Sequence, residues 1–158
     1  MTHVLKFISS FLLVTATAGL SSYFSYLGVN TFYSSLQLPP LNPPNEVFPF
    51  IWPFLYVLMI ISFYIILEKE NNHNAVLLFV GQLFLHIFWC YLFFTQGWFA
   101  FAFIDLALLI WTVFVMLKKF YDLSHWAAFL QYPYLVWLLF ALYLNAGIWY
   151  LNDAFLAK

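Results

Sequence analysis

Five stretches of this chain run for about twenty residues with almost no charge, and this limits the fold more than any other feature. They cover roughly Val4–Leu27, Val47–Leu67, Ala75–Phe94, Trp98–Leu117 and Trp126–Leu151. A helix needs about 20 apolar residues to cross the hydrocarbon of a bilayer. Strands of a membrane barrel would alternate apolar and polar positions, whereas these runs are apolar all round. The expected fold is therefore an all-α integral membrane protein: one domain over residues 1–158, built as a five-helix transmembrane bundle. The first run is longer than the 7–15-residue core of a signal peptide and has no clear cleavage triplet, so it reads as a helix.

Composition agrees. The chain is 66% hydrophobic and 7% charged, with no arginine, against about a quarter charged in a soluble domain. The net charge of −1 comes with no basic cluster, which excludes nucleic acid as a partner. Cys90 is the single cysteine and lies in an apolar run. No disulfide or cysteine metal site within the chain is implied, and no metal site is expected.

Residues 29–46 form a long connection between the first two runs, and six of the seven prolines fall between Pro39 and Pro53. Proline fixes φ, so such a loop loses less entropy on ordering than a Gly-Ser loop. Long loops in compact domains are typically lids or binding loops. Tyr33, Leu36, Leu38 and Leu41 give this one apolar faces, and it is expected to fold back onto the bundle. Asn45 is expected to cap the second helix, with Glu46 and Pro49 in its first turn and a kink at Pro53. The small residues Thr15, Ala18, Gly19, Ser22 and Ser25 let the first helix approach others closely. They are expected to pack inside the bundle rather than form a dimer face.

The remaining connections are short: Glu68 to Asn74, a tight turn near Gly97, and Lys118 to His125. With five crossings, Lys6, Lys69, Lys118 and Lys119 share one side and Lys158 lies on the other. The positive-inside rule then places the amino terminus in the cytoplasm and the Pro-rich loop opposite.

Polar groups inside a membrane are either paired or functional. Gln82, His86 and Trp89 share a helix face by their spacing of four and three. Asp105 is the only acid deep in a run. Trp137, Ala141, Leu144 and Asn145 form one stripe, and Trp52 and Tyr56 another. Together these positions would line an aromatic cavity with a few polar anchors, as small-molecule sites do. Each also has a purely structural reading: Asp105 bonded to a neighbouring helix, His86 bonded to Asp105 or to the helix of Gln82, and Asn145 as helix glue. Trp98, Trp126 and Trp149 read as interfacial anchors.

A bis-histidine haem cytochrome needs two facing intramembrane histidines, and only His86 lies in a run. No run holds a mid-depth lysine for a retinal Schiff base, and no zinc-hydrolase, phosphate-loop or nucleophile-elbow motif occurs.

Three blocks carry a family resemblance. The first is Phe32-Tyr33-Ser34-Ser35-Leu36-Gln37, followed by Pro43-Pro44, Val47-Phe48, Trp52 and Leu55-Tyr56. The second is Gln82-Leu83-Phe84-Leu85-His86-Ile87-Phe88-Trp89 with Phe93-Phe94. The third runs from Tyr132-Pro133-Tyr134 through Trp137 and Ala141 to Asn145. In order and spacing they resemble the translocator protein family, also called tryptophan-rich sensory proteins or peripheral benzodiazepine receptors, over about Phe32 to Asp153.

The resemblance implies a five-helix bundle, frequently dimeric, with a cavity closed by the first loop. It implies binding of porphyrins such as protoporphyrin IX or haem as ligand, with no obligatory cofactor, and of isoquinoline or benzodiazepine-type molecules. The site residues it carries over with the bottom-up reading are Tyr33, Pro43, Pro44, Trp52, Tyr56, His86, Trp89, Phe93, Trp137, Ala141 and Leu144, with Gln82, Asp105 and Asn145 as intramembrane polar groups. The leading expectation is a membrane tetrapyrrole-binding sensor or carrier rather than an enzyme. A light- and oxygen-dependent porphyrin-degrading activity using Trp52 and Trp137, and a proton-coupled transporter using Asp105, are the alternatives. A bacterial inner membrane is the expected location, or the mitochondrial outer membrane if the source is eukaryotic.

Phe32 stands where the family usually has tryptophan, and His86 where it usually has asparagine. Tyr150 has no lysine or arginine within five residues, so the short cholesterol-recognition pattern is not met.

Overall fold

The computed structural model describes the backbone of residues 2–156 and the side chains of residues 2–152. Lys158, and the side chain of Asp153 that ends the family resemblance, lie outside the described residues. Five helices are long and apolar enough to cross a membrane. They are α1 (His3–Val29), α2 (Phe48–Leu67), α3 (His73–Cys90), α4 (Phe99–Leu123) and α5 (His125–Leu156). No strand occurs among the described residues.

Lipid offers no hydrogen bonds, so every backbone polar group must be satisfied within the span. The hydroxyls follow the same rule. Ser9, Thr15, Thr17, Ser25 and Thr112 each donate to the carbonyl four residues earlier in their own helix. This back-bonding lets α1 carry many small hydroxyls with few exposed donors.

The helices close into a ring in the order α1, α2, α5, α4, α3 and back to α1. At the end away from the Pro-rich loop the interior is filled by aromatic rings. Phe63 stacks on Phe79 at 4.0 Å and 6°, and Phe79 lies 6.1 Å from Phe120. Ser62 donates to the Ala127 carbonyl at 2.7 Å, tying α2 to α5. α1 joins α2 at this end as well. Ser10 donates to the Ile60 carbonyl at 2.7 Å, Phe7 lies edge-on to Tyr64, and Lys6 reaches Glu68 at 3.5 Å.

At the loop end α1 leaves α2 and rests on the last turn of α3. That turn, Tyr91–Thr95, is a π-helical extension. Gly28 packs so closely on it that a Cβ there would lie 2.3 Å from the Phe94 carbonyl oxygen. α1 therefore crosses from one neighbour to the other, and α1 and α2 diverge toward the loop.

One local expectation is corrected. Asn45 does not cap α2: Asn45–Val47 form a 3₁₀ turn, in which Val47 N–H bonds the Pro44 carbonyl, and α2 starts at Phe48. Val47 then occupies the cap position and has no side-chain acceptor. The small residues of α1 have a further place that the sequence did not suggest. Thr15, Ala18, Ser22 and Ser25 border a cavity, and Gly19 has no side chain or backbone near it.

Candidate functional site

Where α1 and α2 diverge, a cavity of about 750 Å³ opens in the loop half of the bundle. α1, α2, α3 with its π turn, α5 and the loop supply its walls. The volume falls within the range of small-molecule sites, about 300–1,000 Å³.

Trp52 stands at the centre of the aromatic wall. Its ring lies 4.9 Å from His86, 5.8 Å from Tyr56 and 6.2 Å from Trp137, the last pair at 89°. These separations are those of offset and edge-to-face aromatic pairs, which hold one another's rotamers. Pro49 and Pro53 flank Trp52 on α2 and also line the cavity. Further along α3, Phe93 contacts Trp89 at 5.7 Å and Phe99 at 4.9 Å.

The polar atoms are few and mostly committed. Tyr56 Oη and His86 Nε2 share a hydrogen bond of 3.0 Å. Trp89 Nε1 donates to Asn145 Oδ1 at 3.1 Å, and Asn145 Nδ2 donates to the Phe99 carbonyl at 2.9 Å. One asparagine in the cavity wall thus joins α3, α4 and α5. No charged side chain lines the cavity among the described residues. A bound molecule must be largely apolar there and keep any charge at the rim.

Ten of the sequence-derived positions line this space: Tyr33, Trp52, Tyr56, His86, Trp89, Phe93, Trp137, Ala141, Leu144 and Asn145. Pro43 and Pro44 lie in the loop but do not line it. Gln82 and Asp105 are buried outside it. Gln82 accepts from Tyr134 Oη at 2.9 Å, which ties α3 to α5. His86 bonds neither Asp105 nor the helix of Gln82: its Nε2 meets Tyr56 of α2, and its buried Nδ1 has no partner among the described residues.

The loop folds down onto α5. Asn152 grips it from two directions, accepting from Gln37 N–H and donating to the Gln37 carbonyl, both at 2.9 Å. Tyr143 Oη donates to the Pro40 carbonyl at 2.6 Å. Pro39 is buried where Gly147 leaves room: a Cβ at 147 would lie 2.5 Å from the proline ring. Leu36 is buried beneath the loop, and Tyr33 turns into the cavity mouth. Burial holds the Tyr33 phenol above its ordinary range, with the Asn42 side chain partly offsetting it.

The sequence reading missed Asn152, Tyr143 and Gly147, and it missed the α1 wall as a lining. For Asn152 a signal existed. It lies seven residues after Asn145, on the same helix face, and an asparagine repeated at that interval on an apolar helix suggests two separate polar duties. Nothing in the sequence marks Tyr143 or Gly147 as lid contacts.

Comparison with known proteins adds a family. The model of the TspO/MBR family matches residues 10–151. The chain is 34% identical over 152 residues to the tryptophan-rich protein TspO of Archaeoglobus fulgidus, covering 95% of this chain and 99% of that protein. It is 37% identical over 127 residues to the translocator protein of Ovis aries, covering 77% and 75%. To the tryptophan-rich sensory protein of Cereibacter sphaeroides it is 32% identical over 122 residues, 77% of each chain.

Proposed function

The chain belongs to the TspO/MBR family of integral membrane proteins, and from that premise we propose that it is a membrane receptor, a sensor or carrier, for flat apolar tetrapyrroles such as protoporphyrin IX or haem. The observation that carries this is the uncharged aromatic cavity beneath a clasped loop, with Trp52 and Trp137 set edge to face on one wall. A planar macrocycle presents a large apolar face to such rings and carries its carboxylates on one edge. That edge suits the rim near Tyr33 and Asn45, where the cavity meets the loop. The same walls suit isoquinoline and benzodiazepine-type molecules, which are smaller and also aromatic. On this reading the protein is a homodimer with a cytoplasmic amino terminus, in a bacterial inner membrane.

The test is a titration of protoporphyrin IX into purified protein, following tryptophan emission. Saturable quenching is expected, and Trp52→Phe with Trp137→Phe should remove most of it. No saturation, or quenching that the double variant leaves intact, refutes the reading.

A second reading is favoured by the contact of Trp52 with Trp137, Tyr56 and His86. Oxidisable rings in a row beside a photoexcited macrocycle would pass electrons to it, and dissolved oxygen would act as the oxidant that breaks the reduced macrocycle, making the protein a light- and oxygen-dependent porphyrin-degrading enzyme. Illumination of the complex should then give products that free porphyrin with an aromatic peptide does not. The proton-coupled alternative gains nothing from the cavity, because Asp105 lies outside it.

A further inference from the structure

The cavity wall is uneven in one respect. Its residues on α3 and α5 are buried, apart from half-buried Phe94 and Trp137. On α1 and α2, by contrast, lining residues are also exposed on the outside of the bundle: Thr15, Ser22 and Tyr26 on one helix, Pro53 and Val57 on the other. A side chain that faces both the cavity and the exterior marks the edge of an opening.

The height of that opening follows from the Ser10–Ile60 hydrogen bond, which sets the two antiparallel helices level. At 1.5 Å per residue, Thr15 and Val57 sit about 5–8 Å above that bond and Ser22 about 18 Å above it. α1 is about 40 Å long, and Thr15 and Ser22 lie about 18 and about 28 Å from its start, inside its central stretch of about 30 Å, so the opening faces the hydrocarbon and not water. It has no polar edge of its own on α1 at Thr15, whose hydroxyl is spent on the Phe11 carbonyl.

Both aqueous ends of the bundle are held by specific contacts. Toward the loop, Asn152, Tyr143 and the Pro39–Gly147 contact hold the lid down. At the far end, Ser10 to Ile60 and Phe7 against Tyr64 hold α1 to α2.

We infer that the cavity is loaded sideways, from the bilayer through the gap between α1 and α2, by apolar aromatic molecules already dissolved in the membrane. This takes from the proposed function only the choice of ligand class. The lid then retains the bound molecule and seals its carboxylate edge, and does not admit it.

Two cross-links separate the routes, both made in a Cys90→Ser background with a short bismaleimide. Thr15→Cys with Val57→Cys bridges the gap, and Gln37→Cys with Asn152→Cys fastens the lid. Each protein, before linking, is its own control. The gap link should slow protoporphyrin IX uptake from vesicles at least tenfold, while the lid link leaves the rate within twofold. A lid link that slows uptake as much as the gap link, or a gap link without effect, overturns the inference.

A second arm needs no tetrapyrrole. In vesicles of lipids brominated at mid-chain, the emission lost in Trp52→Phe should be quenched by at least half relative to unbrominated vesicles. Trp52 emission indifferent to bromine overturns the lateral opening by itself. If unlinked protein takes up no protoporphyrin while Trp52 is quenched by bromine, the proposed ligand fails and the opening stands.

Discussion

Replacing Asn152 by alanine isolates the clasp that holds the loop to α5. The wild-type side chain makes two hydrogen bonds to Gln37 and a third to the Ile148 carbonyl of its own helix. Only the first two restrain the loop. A net hydrogen bond is worth about 0.5–1.5 kcal/mol, so their loss should cost the closed loop about 1–3 kcal/mol, a rise of about 5- to 150-fold in the open population. Proteolysis of a locally opening segment tracks that population when opening and reclosing are fast. Chymotrypsin cleavage within residues 32–38 is a direct assay, because the backbone there must leave α5 to enter a protease. Tyr143→Phe removes one bond to the loop, so a rise of about 2- to 13-fold is expected. Ser10→Ala, at the opposite end of the bundle, should change nothing. Cleavage of Asn152→Ala within twofold of wild type, or a larger effect from Ser10→Ala, would refute the assignment of Asn152 as the clasp.

Other outcomes follow from the packing. Gly28→Ala should lower stability by about 1–3 kcal/mol, the usual cost of overpacking, because the new methyl meets the Phe94 backbone; thermal unfolding in detergent measures it. Asn145→Ala leaves Trp89 Nε1 and the Phe99 carbonyl without their partner, costing about 1–2 kcal/mol in a membrane interior. Adding Trp89→Phe should then cost less than it does alone, and additive losses would argue against a shared bond. Tyr33 supplies a pH dependence. Its raised value in the closed lid means that the folded protein keeps the proton longer than the unfolded chain. Its contribution is complete below about pH 10 and falls as pH rises beyond that. Unfolding midpoints of wild type should drop more between about pH 8 and about pH 11 than those of Tyr33→Phe.

The bundle was legible because lipid makes the signal simple: a crossing helix is a long apolar run, and five runs leave few alternatives. The ends were less so. α4 continues past Lys118 and Lys119 to Leu123, since a helix need not stop where the hydrocarbon does, and a lysine can reach the interface along its own stem. The cap of α2 was misread because Asn45 and Glu46 look like one, while they enter a 3₁₀ turn that leads into the helix at Phe48 with no side-chain cap.

The site was legible as faces but not as neighbours. Spacings of three and four put His86 and Trp89 on one side of α3, yet only the crossing of α2 determines that His86 meets Tyr56 instead of Asp105. The small residues of α1 were visible as a stripe. Whether such a stripe meets another helix or an empty wedge depends on the tilt of α1, and that tilt is fixed by contacts at its two ends with different partners, Ile60 and Phe94.

The clasp also has a consequence in time. Gln37 and Asn152 are 115 residues apart, so the loop leaves the ribosome long before the residue that fastens it. At about 5–20 residues per second the delay is about 6–23 s. During synthesis the nascent bundle therefore passes through a stage with its walls partly assembled and its cover loose. A molecule trapped at that stage would be enclosed when the last helix arrives, so protein made in the presence of ligand should retain it more completely than protein exposed to ligand afterwards.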